Sequence, residues 1–268
     1  KAVPEDISAN EYILSYLIRK GALSEEQFKT FKPSICNRLD RNTSGLLIAG
    51  KTLKGLQTMA EALKKRTVQK YYRCIVKGEL REKTHLKGYL SKDEQNNKVK
   101  VVSHIRPVEK ADYLPIETEY RPVAVSNGYT ELEVHLITGR SHQIRAHLAS
   151  IGHPIVGDGK YGDLRTNERF RKEVHVRSQL LHAYRIVLED GREVIAPAGN
   201  LRMHGTIYRH QPFNSRVGAA SIISCNGVHD IRSPELSEPL SSSAFRSNPL
   251  SPLCFRCFFT SSGVSGSL

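Results

Sequence analysis

The chain has 268 residues, with 40 lysines and arginines against 27 acids and a formal net charge of +13. A surplus of that size points to a polyanionic partner, nucleic acid first. No apolar run approaches the ~20 residues of a membrane span, and no charged opening leads into an apolar stretch as in a secretory signal. Of five cysteines, only Cys36 and Cys74 lie outside the last part of the chain, which fits a reducing cytoplasm better than a disulfide scaffold.

In chain order, NEYILSYLIRKG predicts an amphipathic helix with Ile13, Leu14, Leu17 and Ile18 on its apolar face and a glycine stop. GLLIAG reads as a short buried strand. KGLQTMAEALKKR reads as a helix with Leu56, Met59 and Leu63 on one face. KYYRCIVKGEL, NKVKVVSHI and IETEYRPVAV are expected strands. NGYTELEVHLITG alternates after an Asn-Gly turn and is expected to be another. SHQIRAHLASIG is expected to be a helix capped by Ser141 and stopped by Gly152. QLLHAYRIVLE is a strand turned by Asp190-Gly191. Many strands without regular helical crossovers predict an α+β fold, a mixed, largely antiparallel central sheet flanked by helices. Residues 1–212 are expected to form one catalytic domain. Lys172 is the last lysine, and from 213 to 268 the chain turns rich in Ser and Pro, so that part is expected to be disordered or foreign to the fold. Its CFRC has CxxC spacing but no second ligand pair, so zinc is not expected there.

Two stretches carry the chemistry. In NRLDRNTSGLLIAGKT a single carboxylate, Asp40, stands between Arg38 and Arg41. The arginines favour its ionised form, and with no second acid or histidine nearby a metal role is not expected. An ionised carboxylate suits nucleophilic or base work, although from this stretch alone a surface Asp–Arg pair explains it as well. In LITGRSHQIRAHLASIGHPIVGD, Arg140, His142, Gln143, Arg145 and His147 gather around a helix start. Helix N-termini attract anions, and the arginines suit phosphate or carboxylate. HQIRAH lacks the glutamate of a zinc-protease HExxH. In KYYRCIVKG the two tyrosines point to opposite faces of a strand, so one can pack inward while the other lines a site, where a ring can stack on a base, although from this stretch alone plain core or rim packing of both rings explains them better.

These stretches, with RSQLLHAYRIVL, resemble the motifs of the RluA-type pseudouridine synthases, in the family's order, over roughly residues 1–205. The resemblance implies that family's fold and an RNA uridine isomerase needing no metal or organic cofactor. It implies Asp40 as the catalytic carboxylate, Tyr72 as the ring stacking on the flipped base and taking part in proton removal, and Arg145 as the cation paired with Asp40. Arg38 would fill the space the base leaves. Thr43, Ser44 and Gly45 would shape the loop, Ile144 would pack beside Tyr72, and Arg41, Arg140, His142 and Gln143 would join them at the substrate. Lys51, Lys54, Lys64, Lys65, Arg66 and Lys70 would meet backbone phosphates. The implied substrate is large-subunit ribosomal RNA, with transfer RNA second and a truncated, RNA-binding relative as the alternative; a monomer working in the cytoplasm is expected. Asn37 stands where the family often has His, and the family's usual opening strand and KP-G segment have no counterpart here, which predicts a sheet short of one strand. A phosphate-handling hydrolase with an Asp nucleophile would need a Gly-rich phosphate loop and metal-binding acids, and neither is found.

Overall fold

A computed structural model describes residues 8–107 and 112–198, together with the backbone of three later strands at 220–224, 227–231 and 255–260. Within 213–268 these strands are all that is described. The rest of the segment expected to be disordered lies outside the described residues, as does the first cysteine of CFRC.

The chain divides into two compact units. In the first, α1 (Ala9–Arg19) starts at Ser8, whose hydroxyl accepts from the Glu11 amide while the Glu11 carboxylate takes the Ser8 amide, a reciprocal cap. Ile13 and Leu17 of α1 pack with Leu23, Leu47 and Ala49, and each such buried side chain contributes about 1.5–3 kcal/mol of transfer free energy. A short helix α2 (Glu25–Thr30) and strand β1 (Ser34–Ile35) follow. β1 runs antiparallel to the end of β2 (Ser44–Gly50). Asn37, the departure from the family pattern, accepts the Ile48 amide through its side-chain oxygen at 2.8 Å, so it still ties its loop to β2. Helix α3 (Leu53–Lys65) buries Met59 and half-buries Leu56 and Leu63, as its spacing predicts.

The second unit is built on β3 (Gln69–Lys77), β4 (Thr84–Asp93), β5 (Lys98–Val102), β6 (Leu114–Ser126), β7 (Tyr129–Leu136), β8 (Leu181–Val187) and β9 (Glu193–Ile195). The strand order from β8 is β8-β3-β7-β6-β4-β5, antiparallel throughout, with β9 on β8. The first residues of β2 join β8 in parallel, Ser44 opposite His182 and Gly45 opposite Ala183. The sheet is therefore mixed and largely antiparallel, and helices flank it. Asn127 and Gly128 both take positive φ, 52° and 77°, in the expected turn between β6 and β7. Between β7 and β8 lie α4 (Gln143–Ser150) and α5 (Leu164–Val174). The sequence does not announce α5, because only Thr166 and Phe170 of its eleven residues are buried.

The start of α4 corrects one expectation. Its N-cap is His142 in the left-handed region (φ 53°), with no side-chain cap bond, and Ser141 is exposed. The loop folds back because the Gln143 side chain accepts from the Arg140 amide and from the Thr138 hydroxyl. The C-terminal stop is as expected: Gly152 (φ 84°) and His153 donate their amides to the carbonyls of Ala149 and Leu148.

Candidate active site

Asp40 opens a tight turn. The Thr43 amide donates to the Asp40 carbonyl at 2.9 Å, and Asn42 takes φ 67°. Three inward side chains fix this turn. Gln179 donates to the Arg41 carbonyl at 2.6 Å and to the hydroxyl of buried Thr43 at 3.3 Å. Ser44 Oγ lies 2.8 Å from His182 Nδ1, and His182 Nε2 lies 3.0 Å from the Ala196 carbonyl. A neutral ring therefore donates from Nε2 and accepts the Ser44 proton at Nδ1. Gly45 sits at φ 111°, and a Cβ there would come within 2.1 Å of the Ala183 carbonyl oxygen, so only glycine lets β2 approach β8 so closely. Thr43, Ser44 and Gly45 thus hold the loop that carries Asp40, while the side chain of Arg41 is exposed.

Above the turn, Arg145 of α4 is shared between two carboxylates. Its Nε and Nη2 donate to Asp158 at 2.7 and 2.9 Å, and its Nη1 donates to Asp40 Oδ2 at 3.2 Å. The Asp158 side chain is fully buried, and its Oδ1 also accepts the amides of Lys160 and Tyr161. Burial alone would raise the Asp158 carboxyl, but the Arg145 guanidinium and the two amides hold it below the ordinary carboxylate range. Burial likewise opposes the charge on Arg145, and the two aspartates more than offset it. Asp40 is different: its side chain is 23% exposed, and among the described residues its Oδ1 meets no donor.

Two rings complete the site. Tyr72 of β3 is buried, and burial first, then the charge of Asp40, pushes its hydroxyl above the usual tyrosine range. In the free protein it is a neutral phenol within electrostatic reach of the carboxylate. Tyr161 accepts the Val99 amide at 2.9 Å, leaving its proton for His142 Nδ1, also at 2.9 Å. Burial lowers the His142 pKa, and Arg145 works in the same direction against Asp40, so the ring is held neutral as this bond requires. The Arg145 guanidinium lies 5.3 Å from the centroid of the Tyr161 ring.

The structure thus brings Asp40, Tyr72, Arg145 and His142 together, leaves Arg38 and Arg140 exposed, and buries Ile144. Gln143 is not at a surface that RNA could reach. It is 2% exposed, and both ends of its amide are taken by Thr138, the Arg140 amide, the Glu117 carbonyl and Thr118. Asp158 and Tyr161 were not singled out from sequence. The only signal was an acid and an aromatic at the close of the motif that supplies Arg145, in GDGKYG.

Residues 7–150 match the RNA pseudouridylate synthase family. The chain belongs to that family. It is 34% identical over 177 residues to a tRNA pseudouridine synthase C of Salmonella typhimurium, covering 61% of this chain and 66% of that protein. It is 33% identical over 159 residues to a ribosomal large subunit pseudouridine synthase D of Nitrosomonas europaea, covering 59% of this chain and 44% of that one. The chain therefore spans about half to two thirds of the length of these relatives. A solved structure, human RNA pseudouridylate synthase domain containing 4, shares the fold at a TM-score of 0.51 and 19% identity, covering 69% of this chain and 77% of that one. Among the described residues no helix is long and apolar enough to cross a membrane.

Proposed function

We propose that this chain isomerises uridine in RNA to pseudouridine, with Asp40 as the catalytic carboxylate. The observation that carries the reading is the division of Arg145: Asp158 takes two of its nitrogens and Asp40 a third, so Asp40 is oriented yet, among the described residues, keeps one oxygen without a donor. The reaction breaks the bond between ribose C1′ and uracil N1, turns the base, and joins C1′ to C5. The C5 proton leaves and N1 gains one, so nothing is oxidised or reduced. Asp40 serves either by attacking C1′ or by assisting deprotonation of the sugar, and Arg145 stabilises its charge in either route. Tyr72 offers a ring for the flipped base, and Arg38 fills the vacated stack. The chain works as a monomer in the cytoplasm, without metal or organic cofactor.

Large-subunit ribosomal RNA is the substrate proposed first. Transfer RNA is the second, favoured by the relative that shares the larger part of its length with this chain and is named for tRNA. The test is tritium release from RNA labelled at uridine C5, with ribosomal and transfer RNA transcripts and an Asp40→Asn control. Release by the parent and none by the variant is expected. Equal release would remove Asp40 from its role. RNA binding without release from either would favour a binding-only relative.

A further inference from the structure

Lys70 is a half-buried cation that, among the described residues, the fold leaves without a partner. It sits on β3, and among the described residues its ammonium has no hydrogen bond or ion pair. Burial pushes its ammonium below the usual lysine range, and no acid raises it. Several other cations of this unit that are drawn in from solvent do have acids: Lys77 meets Asp163 at 3.0 Å, Arg73 meets Glu131 at 3.4 Å, and Arg145 meets two aspartates. An unmatched, desolvated ammonium opposes folding, and an anion from outside is what the place lacks.

Its position says which anion. Strand alternation puts Lys70 on the same face as Tyr72, whereas Tyr71 points to the other face, stacked on His135 at 4.6 Å. The Lys70 Nζ lies 3.1 Å from where a Cβ on Gly139 would stand. Gly139 directly precedes Arg140 in the loop that leads into α4 and Arg145, so the ammonium rests against bare backbone beside a second, exposed cation. This inference rests on the RNA reading above. We propose that Lys70, seated on Gly139 and flanked by Arg140, binds a backbone phosphate of the nucleotide presented to Asp40. Of the six basic residues that charge alone assigned to phosphates, this is the one whose surroundings call for an anion rather than merely tolerate one. Lys65, by contrast, is already paired with Glu61.

The experiment compares the parent with Lys70→Met and Lys70→Arg, using a fluorescent stem–loop RNA with a uridine in its loop. Binding is titrated across salt concentrations, and thermal unfolding is recorded without RNA. Lys70→Met is expected to raise the melting temperature, weaken RNA binding about three- to tenfold, and flatten the slope of log affinity against log salt by about 0.7–0.9, the share of one phosphate contact. Lys70→Arg is expected to keep the parent slope. A higher melting temperature with an unchanged slope would overturn the phosphate role while leaving the RNA reading intact. A lower melting temperature would also overturn it, since Lys70 would then be serving the fold. A parent that binds no RNA would defeat both this inference and the function it rests on.

Discussion

Strand β3 carries a charged cluster on each face, and the two are built differently. On the Tyr71 face, Glu133 is 5% exposed and is met by Arg121 Nε at 2.6 Å, by the Tyr184 hydroxyl, and by Arg73 and Arg185 at 3.7 and 3.9 Å. The guanidinium of Arg185 covers the Tyr71 ring at 3.9 Å, and His135 stacks on that ring. Every group there is occupied by another group of the protein. On the Tyr72 face, the Arg145–Asp158 pair is closed in the same way, yet among the described residues Asp40 keeps an oxygen without a donor and Lys70 keeps an ammonium without an acceptor. Buried charge is thus not in itself the mark of a site. Unspent bonding capacity is, because a ligand can fill it.

The sharpest way to break this comparison is to neutralise one acid on each face. Asp40→Asn is expected to lower product formation at least about a thousandfold, about 4 kcal/mol of transition-state stabilisation, with the melting temperature nearly unchanged. Glu133→Gln is expected to do the reverse, costing about 3–5 kcal/mol of stability because several cations lose their counter-charge, while the folded fraction keeps its turnover. Urea unfolding and tritium release on both variants check the pair, and a Glu133→Gln protein that is stable but inactive would erase the distinction.

A smaller effect sharpens the account of the Tyr72 face. Asp158→Asn is expected to lower kcat about tenfold to a hundredfold with KM held, because Arg145 loses the brace that aims it at Asp40. In an Arg145→Lys background the same change is expected to cost much less, since Asp158 acts through that guanidinium. Equal losses in both backgrounds would make Asp158 a fold residue only.

The smallest effect concerns pH. His147 is 3% exposed, bonded through Nδ1 to Thr118 Oγ1 at 3.0 Å, and burial lowers its pKa to about 4. The unfolded ring binds a proton near pH 6.5. The folded state therefore holds its full advantage above about 6.5 and loses it as the pH falls towards about 4. Urea midpoints across that window are expected to drop, and His147→Gln is expected to flatten the decline. An unchanged slope would place the acid sensitivity elsewhere.

Sequence by itself went far here, and the reasons are local. Periodicity located α1 and α3 because each buries one face, and it located β7 by its alternating residue types even though both its faces are buried. The Asn-Gly turn and the Gly152 stop were readable because their left-handed backbone restricts the residues that can serve. Asp40 stood out as one acid between arginines, and motif order named the family. What stayed hidden depends on contacts between residues far apart in the chain. Gln143 looked like a substrate residue because it is polar and lies in the motif. Only folding places it against Thr118 and the Glu117 carbonyl, where its amide is used up. Asp158 drew no reading from sequence, because only folding brings it to Arg145, 13 residues away. Lys70 stood in sequence as one of six basic residues expected at phosphates, and only folding sets its ammonium against Gly139. Sequence determined most of the elements and the family, and it singled out Asp40 as the candidate carboxylate, because these follow from residue type and spacing. Tertiary structure alone decided which charges are matched and which are left over, because pairing and desolvation arise only when distant segments are packed together.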